Sequence, residues 1–139
     1  MKPIITILLL LFSIISFAQE VKLQETPKDT WILYKNGDIS IYYKVKNCTI
    51  ASSWSQERVL FKFVNNTNNP QTIKYKVNPT FSSTNEYDAV VFTLALSPNE
   101  TIEGKDVFLE KPELYLFSKS TDQRVPIDSH LIRFSIELK

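Results

Sequence analysis

Ile39, Ile41, Tyr43 and Val45 fall on alternate positions, with Ser40, Tyr42, Lys44 and Lys46 between them. Successive side chains of a strand point to opposite faces, so this pattern predicts a strand buried on one side. The period of two recurs along the chain. Val59, Phe61 and Phe63 alternate with Leu60, Lys62 and Val64, and Ile73, Tyr75 and Val77 with Thr72, Lys74 and Lys76. Phe92, Leu94 and Leu96 follow, then Leu114 to Phe117. Last come Ile132, Phe134, Ile136 and Leu138. Trp31–Tyr34 supplies one more strand, and Asn36-Gly37 behind it predicts a tight hairpin with both central residues at positive φ. Asn65 to Pro70, Ser97-Pro98-Asn99 and Gly104 mark further turns. No window carries a helical stripe. About seven strands separated by turn signals predict an all-β antiparallel sandwich over 31–139, with 19–30 as an extended lead-in.

Ahead of this domain, Met1-Lys2-Pro3 and the apolar run Ile4–Phe17 end in Ser16-Phe17-Ala18. A charged start, a short apolar run and a small-residue exit predict a signal peptide over 1–18, cut between Ala18 and Gln19. The run is shorter than the roughly 20 apolar residues that span a bilayer. No cysteine stands at the cut to take a lipid. The expected product is soluble, with no membrane span, and either periplasmic or secreted.

Composition narrows the function. Without Lys2, the 15 remaining Lys and Arg balance the 15 Asp and Glu, which removes a chain-wide attraction to nucleic acid or anionic membranes. One cysteine cannot close an internal disulfide, and one histidine cannot build a His-rich metal centre. Two isolated glycines form no phosphate loop, and Asn65–Asn69 has no carboxylate for calcium. Neither a metal nor a cofactor is expected.

Phe63-Val64-Asn65-Asn66-Thr67-Asn68-Asn69-Pro70-Gln71-Thr72-Ile73, followed by Leu96-Ser97-Pro98-Asn99-Glu100 and Gly104, resembles a pattern of bacterial immunoglobulin-like domains. In those, a strand ends in Asn, a polar turn carries Pro, and a later Leu-x-Pro-x-Glu corner leads onward. The leader resembles those of exported Bacteroidota proteins. The resemblance implies an immunoglobulin-like sandwich of a small exported protein, and no particular activity. Cys48 lacks the partner that an antibody-type inter-sheet disulfide would need. Asn47-Cys48-Thr49, Asn65-Asn66-Thr67 and Asn99-Glu100-Thr101 fit the N-glycosylation pattern and, in a bacterial chain, read as turns.

Few residues offer chemistry. Cys48 as a nucleophile needs a base, and His130 is the only histidine; the plainer reading is a small buried residue at a strand end. Asp128, Ser129 and His130 are sequence neighbours, whereas triads assemble from separated segments. Residues 42–76 hold six basic groups and one acid, and 86–113 hold seven acids and two basic groups. Their charges are expected to complement along the sheets, or else to give a two-sided surface that meets a charged partner. Lys44, Lys46, Lys62, Lys74 and Lys76 share outward phases and read as a solvated face. Trp54, in the polar segment Ala51–Gln56, and Tyr42, out of phase with Ile41 and Tyr43, are the binding candidates. The expectation is a non-enzymatic binding or accessory module for another protein or a glycan, acting through sandwich-end loops or an edge strand. Alternatives are a small hydrolase or redox protein using Cys48 or His130, and a structural subunit of a surface assembly.

Overall fold

The computed structural model describes residues 19–51, 54–83, 90–107, 110–120 and 129–139. The leader 1–18 and Asp128 lie outside the described residues. Among the described residues nine strands form two antiparallel sheets: β1 Glu20–Lys22, β2 Ile32–Lys35, β3 Ile39–Ala51, β4 Trp54–Asn65, β5 Gln71–Phe81, β6 Val91–Leu96, β7 Thr101–Glu103, β8 Tyr115–Ser120 and β9 Leu131–Leu138. One sheet has the order β1-β9-β5-β6. The other runs β2-β3-β4, and the far edge of β4 pairs with β7 along Lys62–Val64 and with β8 along Gln56–Leu60. The all-β antiparallel sandwich expected from alternation is therefore present, with two strands more than the seven that alternation marks. Both extra strands, β1 and β7, have three residues, too short for a period of two to register. β1 also turns part of the lead-in into a sheet edge, pairing Val21 with Phe134.

Alternation decides which residues meet between the layers. Ile41, Tyr43 and Val45 of β3 and Val59, Phe61 and Phe63 of β4 are buried against Ile73, Tyr75, Phe134 and Ile136 of the opposite sheet. Phe134 stands at the centre, with ring centroids 5.5 Å from Tyr43, 5.8 Å from Phe61 and 6.5 Å from Tyr34. Phe63 meets Tyr75 at 4.9 Å. Such ring pairs add directional preference to the area they bury. The Tyr34 hydroxyl ties the layers at one side. It accepts from the Ile136 amide at 2.8 Å and donates to the Gln19 carbonyl at 2.7 Å.

Asn65 fastens one end. It is 1 % exposed, and its amide donates to the carbonyls of Asn69 at 2.8 Å and Ser97 at 2.9 Å. Its Oδ1 accepts from the amide and hydroxyl of Thr67. The Pro98 corner closes on it: Ser97 N–H donates to the Glu100 carboxylate at 2.6 Å, and Asn99 takes φ 57°, a left-handed conformation that Asn tolerates.

Two local expectations are corrected. The β2–β3 hairpin forms, but neither Asn36 nor Gly37 has positive φ; a three-residue connection and a bulge between Leu33 and Lys35 replace the two-residue turn. Asn47-Cys48-Thr49 is not a turn. It lies inside β3, with Asn47 opposite Glu57.

The two glycines should respond oppositely to alanine. A Cβ on Gly104 would lie 2.3 Å from the Leu114 carbonyl oxygen, whereas one on Gly37 meets only Ile39 O at 3.7 Å. Gly104→Ala is expected to cost about 1–3 kcal/mol, and Gly37→Ala to be neutral or stabilising by about 0.4–1 kcal/mol. Urea midpoints of the two variants check this; equal midpoints would refute the close approach.

Candidate functional site

The outward face of β3 and β4 carries Tyr42, Lys44, Lys46 and Cys48 beside Lys62, Leu60, Arg58 and Gln56, in that cross-strand order. One half of this face is covered. Cys48 and Leu60 are buried in a small second core with Trp31 and Tyr115 against them. Arg58 is 3 % exposed. Its Nε donates to Gln56 Oε1 at 2.8 Å, its NH1 to the Val107 carbonyl at 3.0 Å, and its guanidinium lies 4.2 Å from the Tyr115 ring centroid. Lys46 reaches Asp106 at 3.5 Å. The segment 104–107 thus crosses this half like a strap. It also places Asp106 of the acid-rich stretch against Lys46 of the basic one.

The other half is open. Trp31 and Tyr42 are half-buried there. The Lys44 ammonium lies 4.4 Å from the Trp31 ring centroid, and that of Lys62 lies 4.6 Å from both Trp31 and Tyr42. Two like charges therefore converge on one indole, and among the described residues neither makes an ion pair. Attraction to the rings offsets part of that repulsion. The arrangement differs from the solvated lysine face that outward phase alone suggests.

Tyr42 accordingly sits where its phase puts it, as one wall of an aromatic–lysine cluster. Trp54 opens β4 opposite Ala51, at the end of the long β3–β4 hairpin, so it belongs to a strand and not to a separating loop. Its side chain lies outside the described residues. Trp31 is the member the sequence reading missed. The signal existed: Trp31 is out of phase with Ile32 and Tyr34, as Tyr42 is with Ile41 and Tyr43.

Cys48 packs in the second core, and His130 lines a cavity that Cys48 does not. Cys48 is fully buried, and burial pushes its thiol up to about 11; the nearby Asp106 carboxylate adds to the rise, while Arg58 and Lys46 offset part of it. A thiol held protonated is a poor nucleophile. His130 is exposed at the start of β9. Its backbone amide donates to Ser82 Oγ, and the Ser129 hydroxyl pairs with Ser83 at 2.8 Å.

His130 instead lines a cavity of about 340 Å³ with Lys28, Glu57, Ser118, Lys119 and Ile132 among its walls. Glu57 occupies the inward phase of Val59 and Phe61, an acid on a core position, and that signal also went unused. Its side chain is 6 % exposed and pairs with Lys28. Ser118 Oγ donates to Oε1 at 2.8 Å, and Lys119 lies 4.0 Å away. Burial alone would raise the Glu57 carboxyl, but the hydrogen bonds from Lys28 and Ser118 and the Lys119 charge prevail and hold it below its ordinary value.

Among the described residues no group of three or more His, Cys, Asp or Glu could hold a metal ion, and no helix is long and apolar enough to cross a membrane. Compared with known proteins, the chain matches no family model, no curated protein and no solved structure.

A carboxyl whose folded pKa is depressed stabilises the fold above its unfolded value, and that contribution disappears as pH falls through the folded value. Glu57→Gln is therefore expected to lower stability at neutral pH by about 1–3 kcal/mol. The gap to the wild type should shrink below the ordinary value of 4.5. Denaturation midpoints at neutral and at acid pH test this; a gap independent of pH would remove the ion pair from the account.

Proposed function

We propose that the chain is an exported, non-enzymatic binding module with an immunoglobulin-like sandwich, and that it engages a carboxylate-bearing glycan through Trp31, Tyr42, Lys44 and Lys62. The leader-like segment 1–18 supports export, to the periplasm or outside the cell. The Asn65 turn and Pro98 corner support the immunoglobulin-like assignment, and Ser16-Phe17-Ala18-Gln19 after the Ile/Leu-rich run supports the kinship to Bacteroidota exported proteins. The observation that carries the binding reading is the pair of ammonium groups converging on one indole, neither of them in an ion pair among the described residues although Glu103 stands opposite Lys62 in the β4–β7 register. Two cations held close repel each other, and an anion between them relieves the repulsion. A uronate-type glycan suits the open half-face because it presents carboxylates at sugar-ring intervals and C–H faces toward Tyr42. The buried, protonated thiol of Cys48 and its separation from the cavity that His130 lines favour binding over catalysis by those two residues.

Titration with polygalacturonate should show saturable, salt-sensitive binding, weakened about tenfold by Lys44→Gln or Lys62→Gln, the equivalent of about 1.4 kcal/mol. Neutral dextran should not bind. Polyglutamate binding as tightly as polygalacturonate would replace the glycan with an acidic protein, and binding of neither would end the proposal.

A second reading, a structural subunit, has its own support. Among the described residues β6 is a six-residue edge in unbroken register with β5, and it contains no charge, proline, glycine or bulge. The other end strands among the described residues are blunted: β1 and β7 have three residues each with charges among them, and β2 and β8 combine a bulge with Lys35 and Lys119. Proteins guard edges by such devices, because an open edge templates another strand. Antiparallel pairing of β6 between two copies brings no like charges together. Sedimentation should then show a dimer that Thr93→Lys, on the exposed side of β6, converts to monomer. A wild type that stays monomeric up to about millimolar concentration would exclude it.

A further inference from the structure

We propose that the cavity between the 3₁₀ turn Leu23–Glu25 and the start of β9 is a second binding site, for a small carboxylate with a short apolar tail. Its volume of about 340 Å³ falls in the range of small-molecule sites. The floor is Glu57, 6 % exposed and held by Lys28 and Ser118. Lys119 Nζ lies 4.0 Å from the same Glu57 Oε2, so two ammonium groups share one carboxylate and a positive charge is left over at the mouth. Lys28 makes the closer pair with Glu57, and Lys119 stands at the limit of ion-pair distance. The Lys119 side chain is 46 % exposed and can turn toward a ligand while Lys28 keeps Glu57 paired. His130 stands on the same rim and offers ring nitrogens for a second hydrogen bond. The remaining wall is mixed, with Gln24 and Thr26 beside three aliphatic side chains. Leu23 and Leu131 lie on it, and Ile132, 41 % exposed, leaves aliphatic surface that a hydrocarbon tail would cover. A cationic rim beside an exposed aliphatic wall selects an anion with a hydrocarbon end: the carboxylate would sit between Lys119 and His130, and the tail against Ile132.

The test uses hexanoate on the folded chain, followed by the His130 imidazole resonances and by thermal denaturation. Saturable shifts of those resonances and a raised Tm are expected. Acetate, which has no tail, and hexan-1-ol, which has no charge, should each bind about tenfold more weakly or worse. Lys119→Gln should weaken hexanoate binding about tenfold while moving the unliganded Tm by no more than about 4 °C, as for an ordinary surface substitution. Ile132→Ser should weaken hexanoate and leave acetate unchanged. Absence of saturation, wild-type affinity in Lys119→Gln, or hexan-1-ol binding as tightly as hexanoate would each overturn the assignment.

Discussion

β4 is buried on both faces over half its length, and this constraint shapes the rest of the molecule. Its inward residues Val59, Phe61 and Phe63 fill the space between the sheets. Its outward residues Gln56, Arg58 and Leu60 would face water in a simple two-layer sandwich, yet all three are buried. Burying Arg58 demands partners for its guanidinium, because an unpaired buried cation is costly. The Gln56 amide, the Val107 carbonyl and the Tyr115 ring meet that demand. Those contacts hold the strap 104–107 across the sheet, and Gly104 permits the strap to leave β7 close against Leu114. Because the strap covers only one half, the other half remains open as the aromatic–lysine cluster. Cover and candidate site are two consequences of the same arrangement.

Polar anchoring at the sandwich ends follows one logic. Asn65 is an amide buried among carbonyls and hydroxyls that satisfy both its donors and its acceptor, so its desolvation is matched by hydrogen bonds. Glu57 reaches the same condition by charge, with Lys28 from the lead-in and Ser118 from β8. Tyr34 does so with a hydroxyl shared between β9 and the residue before β1. Each joins elements distant in sequence, and each leaves the aromatic centre around Phe134 free of unsatisfied groups. Among the described residues, no buried side-chain nitrogen or oxygen lacks a partner.

Much of the fold was legible because alternation records burial directly. Ile41, Tyr43 and Val45, and equally Ile73, Tyr75 and Val77, face the core in the phase their spacing dictates. The strands that escaped notice are those too short to alternate. The Gly37 turn was misjudged because a dipeptide preference cannot foresee the bulge at Leu33–Lys35 that changes the connection. Of the site, Tyr42 was legible as an out-of-phase aromatic, and the same argument reaches Trp31. What no spacing reveals is that Lys44 and Lys62, on different strands, close on one indole, since that depends on which strands are neighbours. Glu57 and His130 likewise share a cavity only because β4, β8 and β9 meet at one end of the layers.

The buried position of Cys48 has a practical consequence. Its sulfur is sealed between Leu60 and the strap, with Asp106 close by and no exposed surface. An alkylating reagent can reach it only when the strap lifts or the sheet parts. The speed of its modification is therefore a clock for that opening, read at a single atom. Compared with the rate of global unfolding, it tells whether the covered half of the sheet breathes by itself or only as the whole molecule comes apart.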